Sequence, residues 1–499
     1  MRRILTELPE TLDATYERIL QEIPKSNQVH AHRLLQCLTV AVRPLRVEEL
    51  AETLAVDFST SEGVPKLNEA LRWENQEQAV LSACSSLIAV IKGEDEDSRV
   101  VQFSHFSVKE FLTSDRLATS KMDASRYHHI PLESAHTIMA QACLSVLLRL
   151  GPHIDAASIE DFPLARYAAE HFGDHAEFEG VLSHLWDGVD HLLDANKSHF
   201  SVWIWIHRGH QGNSCPQPSD IIPLYRVAER GYRGLVDYLI SKRPEDVNVR
   251  GKFGTPLHAA LKGKHAGITQ LLLGHCIDVD IRGSQDRTPL HLAAYHGSLG
   301  VTRTLVERNA DINARDSFGD TPLHRTMSKW HLNSETTQDC RLDVVKFLLE
   351  HGADPDAKND DHSTPLHRAS YYGSAKGAQL MLEHGANTHA QNGEGQTPLH
   401  RTFDRLDDAY DSLGMFLDTM RCLLVQGADV DALDGDHATP LHMASRYGCT
   451  KGAQLLLERG ASVHLQDKEG RTPFQVASAR GHKKITQLLS KHMQNERKM

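Results

Sequence analysis

The tetrapeptide Thr-Pro-Leu-His occurs six times in the second half of this 499-residue chain, at a spacing that leaves the fold little freedom. It stands at Thr255–His258, Thr288–His291, Thr321–His324, Thr364–His367, Thr397–His400 and Thr439–His442, and a variant, Thr472-Pro473-Phe474-Gln475, closes the series. Successive starts lie 33, 33, 43, 33, 42 and 33 residues apart. A unit this short cannot bury its own apolar face, so neighbours must stack to supply a core. Threonine suits a helix N-cap, and proline at the next position has the backbone angle a first turn wants. Small pairs such as Ala259-Ala260 and Ala293-Ala294 let helices approach closely. Gly297, Gly373, Gly448 and Gly481 then break the first helix before a leucine-rich second one. Gly352, Gly385, Gly427 and Gly460 suit the left-handed position after that second helix, as does Asn309; Cys276, at the same place, suits it poorly.

A period near 33 built on this tetrapeptide resembles the ankyrin repeat. The resemblance implies a helical solenoid that binds partners with no chemistry of its own, and a histidine that hydrogen-bonds between neighbouring loops. About eight repeats are expected over 221–492, at 221–252, 253–285, 286–318, 319–361, 362–394, 395–436, 437–469 and 470–492. The first, around Pro223–Gly231, lacks the threonine and histidine; its Leu224, Tyr225 and Val227 point to packing on the preceding domain. Residues 321–396 and 397–471 match as a double unit, down to Lys-Gly-Ala-Gln-Leu at 376 and 451, which indicates an internal duplication. Each half carries about ten extra residues, near Trp330–Cys340 and Asp404–Leu417, expected to project from one edge of the solenoid.

The remaining chain reads as helices followed by a hairpin. Leu5, Leu8, Leu12, Tyr16, Ile19, Leu20 and Ile23 keep helical spacing, with Pro9 as a start signal. Helices are expected near Val29–Val42, Val47–Val56, Gln76–Cys84 and Ser107–Leu112, with strands at Ser86–Ile91 and Arg99–Phe103 across an acidic tip, Glu94–Asp97. That order suggests a winged helix. The fold class is thus mainly α: an ankyrin solenoid preceded by a helical and winged-helix-like domain with a short β-hairpin.

Several segments here resemble the part of fungal NACHT (STAND) Nod-like proteins that follows the NTPase. Leu8–Leu20 is similar to the end of their helical region; Arg43–Ala51 and Val101–Leu112 are similar to the winged-helix segment behind it. Pro163–His171 is similar to the helical connector before their repeats. The expected organisation is 1–25 helical end, 26–120 winged-helix-like domain, 121–208 connector, 209–220 linker, 221–492 repeats and 493–499 tail. A phosphate loop, Gly-x-x-x-x-Gly-Lys-Ser/Thr, occurs nowhere in the sequence, so the nucleotide switch of those proteins does not carry over. The chain is expected to be either an autonomous adaptor or the sensor part of a switch whose NTPase lies elsewhere.

The bulk numbers exclude other classes. A net charge of −12 opposes general attraction to nucleic acid or anionic lipid. Eight scattered cysteines without a Cys-x-x-Cys pair read as reduced thiols, which points to a cytoplasmic location. No apolar run approaches membrane-spanning length. There is no Gly-x-Ser-x-Gly elbow for a serine nucleophile, so no enzyme activity and no cofactor are expected. His30, His32 and Cys37, and the pair His128-His129, lack the spacing of a metal site, so no metal is expected. A nucleic-acid-binding winged helix is the lesser alternative, weakened because its helix carries Glu48, Glu49 and Glu52, read as exposed.

The expected function is protein–protein interaction, sensing or scaffolding in signalling or defence, with partners on the concave ankyrin face. An intramolecular contact between the winged-helix region and the first repeat is expected too. The variable position after each Thr-Pro-Leu-His reads Ala259, Leu292, Arg325, Arg368, Arg401 and Met443, with Tyr295, Tyr371, Tyr372 and Tyr447 near the same helix end. Arginine and tyrosine dominate binding hot spots. Leu292, Arg325, Arg368, Arg401, Met443 and the four tyrosines are therefore the candidate contacts. The alternative is that the arginines pair with Asp360, Asp361, Asp434 and Asp436. Reversing the charge of Arg368 and Arg401 together is expected to leave folding intact.

Overall fold

The computed structural model describes the chain except residues 1–3, 59–63, 85, 94–97, 120–122, 152, 153, 156, 195, 196, 208–221, 252, 276, 329–334, 405–412 and 497–499. The hairpin tip, the 209–220 joint, Cys276 and much of both insertions lie outside the described residues. Two compact units emerge: Met1–Val227 with Tyr232–Lys242, and Ala228–Gly231 with Arg243–Met499.

The first unit opens with a helix, Ile4–Glu22, that starts before Pro9 instead of at it. The proline has no N–H and so leaves one intrahelical bond unmade. Helices Gln28–Val40, Val47–Glu52 and Gln76–Cys84 follow, then strands Ile88–Lys92 and Arg99–Phe103 and helix Phe106–Leu112. Leu45–Arg46 adds a third antiparallel strand, pairing Leu45 with Val101, while Val90 pairs with Val101 from the other side. Three helices and a three-stranded sheet around Leu34, Leu35, Leu45, Leu50 and Val80, all fully or nearly fully buried, make the winged helix.

Glu49 and Glu52 correct the expectation of an exposed acidic helix: they are 0% and 3% exposed. Arg43 holds both oxygens of Glu49 at 2.8 Å, and the N–H of Arg46 donates to the same carboxylate at 2.8 Å. Burial works against this charge, but those donors overcome it and hold the carboxyl below its ordinary range. Glu52 accepts from Leu164 N–H at 2.6 Å and pairs with Arg72, tying the winged helix to the connector. These acids are internal struts, so they present no acidic face.

In the connector, helices Leu132–Arg149 and Ala165–Ala176 pack on each other, and the indole of Trp203 donates to the carbonyl of Ala169 at 2.8 Å. Helix Arg233–Lys242, the second helix of the degenerate first repeat, belongs to this unit. Glu177 caps it, accepting from Gly234 N–H at 2.8 Å and Leu235 N–H at 3.1 Å. Trp186 stacks on Tyr238 with ring centroids 4.5 Å apart.

In the second unit helix pairs stack in chain order. Each first helix begins at the motif proline, as in Pro289–His296, Pro365–Tyr371 and Pro440–Arg446. Leu290, Leu323, Leu366, Leu399 and Leu441 are all fully buried between helices. Successive turn tips are joined by one backbone bond each, such as Asp360 N to Phe318 O at 3.1 Å, Gly393 N to Asp361 O at 2.8 Å and Gly435 N to Glu394 O at 2.8 Å. The described part of each insertion lengthens the second helix of its repeat: Glu335–Glu350 has 16 residues and Leu413–Val425 has 13, against 9 in Ala375–Glu383. Helix Ala266–Leu273 ends on Gly274, with φ −64°; Cys276, at the place where its siblings turn left-handed, lies outside the described residues.

Candidate docking site on the repeat array

Each Thr-Pro-Leu-His begins a helix, and the histidine fixes its start. The ring Nδ1 faces the threonine N–H, at 3.2 Å in Thr288–His291 and 3.1 Å in Thr364–His367, and the threonine hydroxyl at 2.8 and 2.9 Å. The cap expected from the hydroxyl alone is secondary; where it accepts from a helix N–H, at Thr439, the distance is 3.4 Å. On the far side Nε2–H donates to the carbonyl just before the next motif. These distances are 2.9 Å for His258 to Arg287, 2.9 Å for His291 to Asp320, 3.0 Å for His324 to Ser363 and 3.0 Å for His367 to Gln396. His400 and His442 do the same to Ala438 and Arg471, at 3.1 and 2.9 Å. A carbonyl can only accept, so Nε2 carries the proton and Nδ1 is the acceptor. Burial, opposed by the carbonyl bond and at His324 first by Asp320, pushes His258, His291, His324 and His367 down to about 4. These rings are neutral stitches between repeats.

The predicted contact residues fall on the last turns of the first helices. Leu292, Tyr295, Tyr371, Tyr372 and Tyr447 are half-buried. Arg325 Cζ lies 5.9 Å from the Tyr295 ring centre and Arg401 Cζ 4.6 Å from that of Tyr371; the Tyr371 and Tyr372 rings meet edge-on at 4.9 Å. Met443 is only 2% exposed, so its side chain offers a partner little area, although it lines a pocket of about 540 Å³ with Glu394, Asp434, Asp436, Arg446 and Tyr447.

The arginines are answered by acids other than those expected. Arg368 Nη2 reaches both oxygens of Asp320 at 2.9 and 3.0 Å, Arg325 Nη1 reaches one at 3.4 Å, and Asn359 donates to the other at 2.9 Å. Asp320 is fully buried. Burial works against its charge, but Arg368, Asn359 and Arg325 hold its carboxyl below the usual range. Arg401 pairs with Asp404 at 2.6 Å and with Gln396 Oε1 at 3.3 Å. Asp360 and Asp436 pair elsewhere, with Arg315 at 2.9 Å and Lys468 at 3.7 Å. Charge reversal at Arg368 would therefore set two carboxylates together in a buried site, and the expectation that it leaves folding intact is withdrawn. Asp320 went unrecognised in the sequence, yet it stands alone as an acid in a position that reads Arg287, Ser363, Gln396, Ala438 and Arg471 in the sibling repeats.

Among the described residues no group of three or more His, Cys, Asp or Glu is placed to hold a metal, and no helix is long and apolar enough to cross a membrane. Cys37, Cys84, Cys143, Cys340, Cys422 and Cys449 are free thiols.

This geometry defines a stacked helical-repeat protein. The family model for ankyrin repeats matches three times, over residues 224–316, 330–405 and 406–498, just over half of the chain. The chain belongs to the ankyrin-repeat family. Residues 16–122 match the winged helix domain described for GPI inositol-deacylase. A curated relative, azaphilone pigments biosynthesis cluster protein L of Monascus ruber, is 33% identical over 297 residues, which is 55% of this chain. The chain spans 61% of that relative's length.

Proposed function

We propose that this chain is a protein-docking module that senses or scaffolds partners in cytoplasmic signalling or defence, with no catalysis of its own. The observation that carries the reading is the row of tyrosines 295, 371, 372 and 447, half-buried at equivalent helix ends with Arg325 and Arg401 over two of the rings. Aromatic and arginine side chains pre-set by packing are what hot spots use, because little rotamer freedom is left to lose. The partner face is the concave one formed by turn tips and first helices. The winged helix and connector resemble those behind the NTPase of NACHT proteins, which supports a regulatory role; there the repeats sense and a nucleotide switch responds. A second reading, favoured by the same segments, is the sensor part of such a switch, with the winged helix coupled to the first repeat. The name of the Monascus relative supports a biosynthetic gene cluster as a setting.

The test is cross-linking affinity capture with the full chain, wild type against Tyr371→Ala/Tyr372→Ala/Tyr447→Ala. The variant should keep its helical signal and lose its partner by about tenfold or more. Recovery of the same partners at the same level would sink the reading.

A further inference from the structure

Two consecutive pairs of repeats, 286–361 and 362–436, can be compared as an earlier and a later half. Tyr295, Gly297, Arg325 and Ser328 correspond to Tyr371, Gly373, Arg401 and Asp404, each 76 residues on. The backbone has been kept: Gly297 and Gly373 have φ of 71° and 72°. Charge has not been kept. In the later half Asp404 neutralises Arg401 at 2.6 Å. In the earlier half its counterpart is Ser328, whose buried hydroxyl has no partner, and Arg325 turns instead to Asp320 at 3.4 Å, a carboxylate it shares with Arg368 and that stands where the later half has Gln396.

A second difference adds to the first. In the later half the ring of Phe416 packs against Gly373; in the earlier half the stem of Arg341 packs against Gly297. Arg341 is 3% exposed. Its Nη1 donates to the Ser328 carbonyl at 2.6 Å and its Cζ stands 5.1 Å from the Tyr295 ring centre. Its Nε has no partner; the Nε atoms of Arg325 and of its sibling Arg401 lack one alike. Among the described residues no carboxylate lies within ion-pair distance of Arg341; Lys264 and Arg341, after burial, push the neighbouring His296 down to about 4. Asp316 and Asp320 are shared among Arg287, Arg325 and Arg368, and neither pairs with Arg341. Packing does not require Arg341, since phenylalanine fills that place in the sibling. A buried cation without a counter-ion is costly unless an anion comes from outside.

We propose that Tyr295, Arg325 and Arg341 form an anion-recognition site on the array, taking the carboxylates of an acidic Asp/Glu segment of a partner polypeptide. Arg325 and the Tyr295 edge make the contact, and Arg341 supplies fixed positive charge beneath them. The guanidiniums are spread over a tyrosine and a carboxylate instead of converging on one centre, which suits several carboxylates along an extended chain better than one phosphate. The proposal rests on the docking reading above.

The experiment measures fluorescence anisotropy of labelled hexaglutamate, hexalysine and a phosphoserine-glycine hexapeptide on the full chain at low salt. Hexaglutamate should bind best, and Arg341→Phe, which installs the sibling's residue, should weaken it about tenfold. That variant should keep or raise the thermal midpoint, and Arg421→Met, at the exposed pair with Asp418, should leave binding unchanged. Undiminished binding by Arg341→Phe, preference for hexalysine or for the phosphopeptide, or a lowered melting point in Arg341→Phe would each overturn the site. A partner that depends on Tyr371, Tyr372 and Tyr447 but is indifferent to Arg341→Phe would sink this site and leave the docking reading standing.

Discussion

Asp320 and Arg368 lie 48 residues apart in the chain and 2.9 Å apart in the fold, joining consecutive repeats of the array through a fully buried carboxylate. Asp320→Ala would leave Arg325 and Arg368 facing each other without a counter-charge. Losing one member of a buried pair costs about 3–5 kcal/mol. Urea unfolding should show a loss of that order, several times the effect of Asp418→Ala at an exposed pair. Equal midpoints for the two variants would mean that the buried pair contributes no more than a surface one.

The stitching histidines set an acid limit. A free histidine titrates near 6.5, whereas His258, His291, His324 and His367 are pushed down to about 4 by burial. Between those values the unfolded chain binds more protons than the folded one. Stability is therefore complete above about pH 6.5 and falls as pH drops toward 4. Asp320, also held low, adds in the same direction, while burial raises Asp404, which opposes it. The urea midpoint should be lower at pH 5 than at pH 7, and His324→Gln should flatten that slope. A midpoint constant from pH 7 to pH 4.5 would show that the rings are protonated in the fold.

Two turn glycines separate the effect of backbone angle from that of crowding. Gly395 and Gly470 have φ of 73° and 70°. A Cβ on Gly395 would come within 2.5 Å of Gly435 N, whereas nothing lies within 4 Å of one on Gly470. Gly470→Ala should cost about 1–2 kcal/mol, from the left-handed angle alone. Gly395→Ala should cost clearly more, because the backbone bond from Gly435 N to Glu394 O must shift too. Thermal melts of the two variants decide it, and equal losses would count against the close contact.

What could be read in the sequence was local. Thr288, Pro289 and His291 act within one turn, so their spacing already specifies where the helix begins. The glycines at 352, 385, 427 and 460 do the same for the other end, with φ between 84° and 94°. What could not be read was long-range. Asp320 finds Arg368 across a whole repeat, and Glu49 and Glu52 look like surface residues until Arg43, Arg46 and Arg72 fold over them. The insertions read as projecting extensions, yet their described residues continue second helices, and this brings Arg341 against Tyr295.

Glu177 gives the last prediction, at the junction of connector and first repeat. Helix Arg233–Lys242 has two of its first N–H groups satisfied by this one carboxylate, in place of a cap from its own sequence. Burial raises the Glu177 carboxyl, and the N–H groups of Gly234 and Leu235, followed by Arg233, work against that rise. Glu177→Ala would leave both donors without an acceptor, a cost of about 1–2 kcal/mol. The loss should be local: amide exchange should quicken within Arg233–Lys242 while helix Ala165–Ala176 keeps its protection. Glu177→Gln retains an acceptor oxygen and should recover about half of the effect. If exchange rises equally in both helices, the carboxylate supports the connector as a whole, and the degenerate repeat is not held by its cap.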